Sequence, residues 1–528
     1  MKFMKKFLAF ATTMIMTLGL AACAGPAGNA AENGTQEAER AGNTAVTGQP
    51  AAAAAAPVAD LSGEIGGEIT VSTFDSMLTG PFLEEAAQLF MDKHPGTTVI
   101  VESFSAMPEV RRTEGAGGTT MMVTARTDNA QERRDYINMV NTELMSGRGP
   151  DILAMDILPF HEYARTGQLV NLRSFMDADP YFDINDYRVN IFDALTTEMG
   201  QFVFPVDYAF RYVAFDSYLF TEDQQEPLLS GDVFSFESLI EIGQQPFEAV
   251  NAGAEEPTMM FGMTAGPRPG LFGEIFSQNY SRFVDIHNRT AHFDDGAFVD
   301  LLNNLMAFEE AGYLRPRADL LTAESVMRSP DMLEQMMSER FFFKPRPGAM
   351  LLNEFTQGLG QRGGMMMIGA GIGHMEDDVI AGLMGNDRGE VPFTVNQGFG
   401  INSNSDNQQT AWEFIKFLSS EAVRVSMRMA GLPTHIGAFE ERTELSIIGA
   451  LFDPGQAVEE MDSQQREVFD AYVAQVNYFT NRLNTFFTTD AIVEDIVMTE
   501  VQEFFDGSRS AEEVAQTLQS RINLFLNE

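Results

Sequence analysis

Hydrophobic and polar positions along this chain change period in a regular order. Glu68-Ile69-Thr70-Val71-Ser72-Thr73-Phe74 is rich in β-branched residues and reads as a strand. A turn follows, then Pro81, Glu84 and Glu85 open a segment with Phe82, Ala86, Leu89 and Phe90 on one face. That pattern predicts a helix with a proline and acids at its N-terminal end. His94-Pro95-Gly96 stops it, and Thr97 to Phe104 predicts a second strand. Strand–helix–strand is the unit of a parallel sheet.

The pattern then breaks. Residues 105–131 are irregular and Gly-rich, with a strand signal at Thr119 to Ala125. Tyr136, Val140 and Leu144, spaced by four, predict a helix that Gly147-Arg148-Gly149-Pro150 ends. Asp151 to Met155 reads as a short buried strand. Gln201 to Phe220 is aromatic and mostly extended, and 221–362 mixes helices and loops. Met365 to Ile368 reads as an apolar strand running into Gly369-Ala370-Gly371-Ile372-Gly373-His374. Gly398 to Ile401 leads to a helix with Ala411, Phe414, Ile415 and Leu418 on one face. Ser510 and Glu513 form a capping box before a last helix striped with Val514, Leu518 and Ile522. No internal repeat is found.

The N-terminus follows a different logic. Lys2, Lys5 and Lys6 precede an apolar run from Phe7 to Leu18, then Leu20-Ala21-Ala22-Cys23. This is a charged region, a short apolar region and small residues before a cut. The apolar run is shorter than the ~20 residues that span a bilayer. Cys23 is the only cysteine of 528 residues, so no intrachain disulfide can form. Residues 24–63 hold Ala51 to Ala56 in a row and no Phe, Tyr, Trp, Ile or Met. Such a stretch cannot bury enough apolar surface to offset its ordering entropy, so a disordered stalk is expected over 23–63.

Composition narrows the partners. The whole chain is 44% hydrophobic, and what remains beyond the stalk is long enough for one large or two medium domains. The net charge of −42 argues against nucleic acid or anionic lipid, both of which need basic patches. Outside the signal only Lys93, Lys344 and Lys416 remain as lysines. The six histidines form no H-x-x-x-H pair, so no zinc site is expected, and no other metal or cofactor is assigned.

Several segments in order resemble the extracellular solute-binding proteins of ABC importers, in the carbohydrate-type, maltodextrin-binding-like group. Leu20-Ala21-Ala22-Cys23 resembles a lipobox, which implies diacylglycerol on the Cys23 sulfur and a lipid anchor on the outer face of the cell membrane. ITVSTFDSMLTGPFLEEAAQLFMDKHPGTTVIVESF resembles the family's opening, and GRGPDILAMD its Pro-Asp-Ile/Val strand. QFVFPVDYAFRYVAFDSYLF resembles the interlobe crossover, while GFGINSNSDNQQTAWEFIKFLSSEAV, GLPTHIGAFEE and FFDGSRSAEEVAQTLQSRINLFLNE resemble the closing signature and C-terminal helix. The resemblance covers roughly 66–104, 132–220 and 364–528. Residues 105–131 depart from it as an insertion.

The resemblance implies an α/β, two-lobe periplasmic-binding-protein-like fold of type II. Each lobe would be a sheet flanked by helices, with a ligand cleft between the lobes. The expected division is signal 1–22, stalk 23–63, lobe 1 from 64–208 plus 369–418, and lobe 2 from 209–368 plus 419–528. Partners implied are a small polar ligand, most readily a sugar, and importer permease subunits, with the chain acting as a monomer. Ligands of open α/β sheets sit beyond the carboxyl ends of strands. The candidates are therefore Phe74, Asp75 and Ser76 after the first strand, Asp156 after the DILAM strand, and Gly371 and His374 after the apolar strand. Tyr208, Arg211 and Tyr212 come from the crossover, and Phe399 and His435 from the closing signature. The rings of Phe74, Tyr208, Tyr212 and Phe399 are expected to converge on one pocket. The only tryptophan, Trp412, lies inside the AWEFIKF helix and is expected to pack in the core. No catalytic residue is assigned. A surface-anchored glycoside hydrolase and a non-transport adhesin or sensor stand as alternatives.

Overall fold

The computed structural model describes residues 59, 61, 63–105, 110–114, 120–124, 130–255, 257–262, 269–286, 288–313, 339–356, 377–426, 428–429, 431–450, 461–487 and 490–527. The first half of the chain runs β1 (Gly67–Thr73), α1 (Thr79–Lys93), β2 (Thr97–Ser103), β3 (Val110–Glu114), β4 (Thr120–Thr124), α2 (Ala130–Met145), β5 (Ile152–Ala154), α3 (Phe160–Arg165), α4 (Val189–Leu195), β6 (Phe204–Pro205) and β7 (Asp207–Asp216). Next come β8 (Val233–Phe234), β9 (Met259–Phe261), α5 (Pro269–Gln278), β10 (Val284–Asp285), β11 (Thr290–Ala291), β12 (Phe341–Pro347), α6 (Leu351–Thr356), β13 (Asp378–Met384) and β14 (Pro392–Thr394). The chain closes with β15 (Gly398–Ile401), α7 (Gln408–Phe417), β16 (Leu432–Pro433), α8 (Ile436–Ala450), α9 (Ser463–Thr480), β17 (Thr485–Phe486), α10 (Ala491–Phe505) and α11 (Ala511–Asn527).

The fold is the expected α/β, two-lobe, type II arrangement. The first sheet has the order β2-β1-β5-β15-β6. β1 pairs in parallel with β2 from Gly67↔Thr97 to Thr73↔Ser103, and in parallel with β5, while β15 runs antiparallel to β5 and β6. Its core gathers Ile69, Val71, Phe82, Phe90, Phe399, Trp412 and Phe414. Trp412 is fully buried, as expected, and its indole N–H donates to Asp179 Oδ2 at 2.9 Å. The second sheet is built on β7, whose length lets it pair with β14 and β16 near one end and with β12 and β13 near the other. Val213, Phe215, Phe272, Phe298, Val497 and Leu518 form its main core.

The chain passes from the first sheet to the second at Val206 and returns between Thr394 and Gly398. The two passages run side by side: the Val206 N–H donates to Gln397 O at 2.9 Å, and Phe204 and Phe210 pair with Phe399 and Phe393. A third strand joins them, because Thr434 N–H donates to Val206 O at 3.0 Å. Gly431 must be glycine here, since a Cβ would lie 2.5 Å from Tyr208 O. A third core, with Phe74, Tyr136 and Leu153 from the first lobe and Phe210, Phe393 and Tyr472 from the second, lies where the lobes meet.

These crossings move the expected boundaries. Tyr208 belongs to β7 of the second sheet, and β13 and β14, assigned to lobe 1 by the sequence reading, pair with β7. The long β7 recruits them, and the return falls near residue 396 rather than 369. In the other direction, Ala422 and Val423, expected in lobe 2, pack in the first core. The expected stalk also ends earlier: Ala59 and Leu61 pack on the first core, and Gln409 Nε2 donates to Leu61 O and Gly63 O at 3.1 and 2.9 Å. The rest of the stalk, the signal and the apolar strand at 365–368 lie outside the described residues. Within the 105–131 insertion, β3 and β4 pair as an antiparallel hairpin from Val110↔Thr124 to Glu114↔Thr120.

Candidate functional site

Three chain segments converge at the carboxyl ends of β1, β2 and β5. β1 delivers Thr73, Asp75 and Ser76, β2 delivers Phe104 and Ser105, and β5 delivers Asp156. Parallel pairing of β1 with both neighbours puts all three ends on the same side of the sheet. Asp156 is the centre of the cluster. Its Oδ2 accepts the Thr73 hydroxyl at 3.3 Å and the Asp75 backbone N–H at 3.1 Å, and its Oδ1 accepts its neighbour's N–H, that of Ile157, at 3.1 Å. All three donors are neutral. Desolvation outweighs them, and with the nearby Asp75 charge it pushes the Asp156 carboxyl up to about 6. The side chain is nonetheless partly open to solvent.

Asp75 has a different task. Its carboxylate turns back to accept the N–H groups of Met77, Leu78 and Thr79 at 2.8, 3.3 and 3.2 Å, capping the entry to α1. Ser76 Oγ lies 2.9 Å from Ser105 Oγ. The ring at the edge of this cluster is Phe104, 37% exposed, packed against Tyr136 and Phe74 at centroid distances of 5.2 and 6.4 Å. Sequence reasoning missed Phe104 and Ser105. They end β2 as Asp75 and Ser76 follow β1, so the strand-end rule, applied to β2 as well, would have found them.

The other expected residues are placed elsewhere. Tyr208 is fully buried with its hydroxyl 2.7 Å from Thr480 Oγ1. Tyr212 is fully buried and donates to Glu354 Oε1 at 2.9 Å. Both share the interlobe core with Phe74, whereas Phe399 lies in the first-lobe core. These four rings therefore do not share one open pocket: Tyr208, Tyr212 and Phe399 are fully buried and Phe74 is nearly so, each packed in core because both faces of the strands around them are covered. Arg211 pairs with Glu274 of α5, both partly exposed, and burial holds the Glu274 carboxyl above its usual range despite that arginine. His435 accepts the Ala438 N–H at 3.1 Å through Nδ1, packs edge-on to Tyr187, and lines a recess of about 240 Å³ with Tyr181, Phe182 and Phe417. Burial, then the Arg424 charge, lower its pKa. That recess shares no lining residue with the strand-end cluster. Gly371, His374 and Cys23 lie outside the described residues.

Among the described residues no group of three or more His, Cys, Asp or Glu could hold a metal, and no helix is long and apolar enough to cross a membrane. The cluster offers hydroxyls, a backbone-braced carboxyl and one open ring. That set can take up a neutral, hydroxyl-bearing ligand by hydrogen bonding and ring contact.

No protein-family model and no curated protein matches the chain. Solved structures do. An extracellular solute-binding protein family 1 from Alicyclobacillus acidocaldarius subsp. acidocaldarius DSM 446 aligns over 88% of this chain and 100% of its own, with a TM-score of 0.53 at 13% identity. A protein assigned as an oligosaccharide periplasmic-binding protein from Synechococcus sp. MITs9220 aligns over 87% and 99%, with a TM-score of 0.52 at 14% identity. A designed esterase aligns over 87% and 98%, with a TM-score of 0.52 at 13% identity. At these identities the likeness establishes the fold.

Proposed function

We propose that this chain is a solute-binding lipoprotein of the extracytoplasmic face, which captures a small polar ligand between its lobes and delivers it to an ABC importer. The observation that carries the reading is the pairing of two sheets through narrow, hydrogen-bonded crossings at Val206 and Gln397, with a polar cluster at the strand ends of the first sheet. Two lobes so joined can close on a ligand by hinge motion. A sugar or oligosaccharide is the favoured ligand class. The neutral donors around Asp156, the hydroxyls of Thr73, Ser76 and Ser105, and the exposed Phe104 ring suit a hydroxyl-rich ring with an apolar face. The oligosaccharide-binding protein of like fold supports that class. Cys23 would carry the lipid that keeps the chain at the membrane, with two or more acyl chains needed for firm anchoring.

A thermal-shift screen of the mature chain against sugars, polyols, amines and peptides tests the reading. A ligand at 100 times its dissociation constant adds ~2.7 kcal/mol to stability. A shift with a sugar, accompanied by a smaller radius of gyration in solution scattering, is the expected result. A panel without any shift, or turnover of an oligosaccharide, would overturn it.

A further inference from the structure

Away from the crossings, the lobes touch again through charge. Glu162 lies on α3, whose Phe160 and Tyr163 pack in the core where the lobes meet, with Phe74 and Leu153 of the first lobe. Its Oε2 accepts Arg289 Nη2 at 2.9 Å. Arg289 stands in the turn between β10 and β11, and Val284 and Ala291 of those strands belong to the second-lobe core. At a second place, Asp495 of α10 takes Arg133 and Arg134 of α2, the latter at 3.6 Å. Val493 and Val497 anchor α10 in the second-lobe core, while Tyr136, Val140 and Leu144 pack α2 beside Phe74 and Leu153.

Arg289 is unusual in its backbone. Its φ of 54° makes it the only non-glycine among the described residues with a positive φ. L-residues avoid that region, and such outliers persist where the surroundings over-determine them. Here Asn288 braces the turn through Asp285 at 2.9 and 2.7 Å, and Asn527 Nδ2 donates to Arg289 O at 3.1 Å. A glycine would fit the turn without strain. An arginine at this position has a side chain that reaches the other lobe. The chain carries 76 acidic against 34 basic residues, so two acidic lobes repel on approach. Three of those few basic residues stand at the lobe–lobe contacts.

We propose that Arg289–Glu162 and Asp495–Arg133/Arg134 are a paired electrostatic latch that positions the lobes against each other and sets how readily the clamp opens. This rests on the ligand-capture reading for its purpose, while the latch itself is a property of the ligand-free chain. Both pairs are partly exposed, with side chains 33% and 35% open at the first and 18% open at Arg133 and Asp495. Salt therefore reaches them, and the latch weakens as the screening length shrinks from about 10 Å at 0.1 M to about 3 Å at 1 M.

The test compares the full-length ligand-free chain with R289Q, D495N and the double variant by solution scattering, at low salt and at about 1 M NaCl. The expected result is a double variant more expanded than wild type at low salt, with the single variants between, and a difference that shrinks at about 1 M NaCl as the latch is screened. Circular dichroism checks that each variant is folded. Should a glutamine or asparagine variant misfold, R289G relieves the backbone strain while removing the charge, and must still open the lobes. Identical radii of gyration for wild type and folded variants at both salt levels would overturn the latch. Ligand-induced compaction of the double variant would then still support capture. A wild type more compact than the double variant at low salt, but compacted further by no ligand, would retain the latch and sink the capture reading.

Discussion

Asp207 accepts the Gln397 backbone N–H at 2.8 Å, and this bond ties the outgoing crossing to the returning one. The same oxygen takes the Asn396 N–H at 2.9 Å. Asp207 is fully buried, and burial pushes its carboxyl above the usual range even though these N–H groups pull it back. One side chain thus fixes the spacing of the strands on which the lobes would swing. Asp207→Ala removes the acceptor of the Asn396, Gln397 and Gly431 backbone N–H groups and should destabilise the chain by about 2 kcal/mol or more. Asp207→Asn keeps the accepting oxygen and should cost less. Chemical denaturation measures both, and equal stability of D207A and wild type would refute this role.

Asp156 supplies a pH signature. Its folded pKa of about 6 stands above the ordinary 3.8, so its contribution to stability is fully present below pH 3.8 and is lost as pH rises through 6. The displacement is worth up to about 3 kcal/mol. Asp156→Asn should raise the melting temperature at pH 7 and flatten the difference between pH 4 and pH 7. A D156N curve parallel to wild type across that window would contradict the assignment.

The second lobe buries a charged network. Lys344 donates to Asp378 Oδ1 at 2.6 Å, Arg346 pairs with Asp378 and Glu354, and the side chains of Lys344, Arg346 and Asp378 are fully buried. Asp378→Ala would remove the carboxylate that Lys344 and Arg346 share inside the lobe, at a cost of about 3–5 kcal/mol. Urea unfolding should show that loss, and a change below about 1 kcal/mol would mean water enters the network.

Trp412 is the only fluorescent indole, and it sits in the first-lobe core beside Phe175, Phe182 and Phe204. Its emission should be blue-shifted in the native chain and should not change when a ligand binds. Quenching on ligand addition would place the ligand near α7 rather than at the strand ends.

Phe104→Ala should weaken ligand binding roughly fivefold to tenfold, since a ring contact is worth on the order of 1 kcal/mol. Tyr208→Ala should act instead on stability, because its ring is enclosed. Calorimetric titration with a screened ligand separates the two. Unaltered affinity in F104A would remove the ring from the site.

Much of the first lobe was legible because its elements are written locally. β1, α1, β2, α2, β5, β15 and α7 fall within a few residues of their sequence signals, as does α11 of the second lobe, where the capping box is present, with Ser510 N–H donating to Glu513 Oε2 at 2.9 Å and Glu513 N–H donating to Ser510 Oγ at 3.2 Å. The site was legible in part. Asp75, Ser76 and Asp156 come together because three parallel strands end side by side, which strand order alone implies. The aromatic platform was not legible, because the sequence of a strand such as Asp207–Asp216 does not announce that other layers will cover both of its faces.

The sequence by itself determined the element order, the α/β class, the acidic surface and the core position of Trp412, since each follows from residue type and short-range period. Tertiary structure decided the rest: that β13 and β14 join the second sheet, that Tyr208, Tyr212 and Phe399 are packed rather than offered, and that Arg289 meets Glu162 from 127 positions away. Those outcomes depend on which distant segments share β7 and which surfaces then close over it, and no local period in the chain encodes a partner that far off.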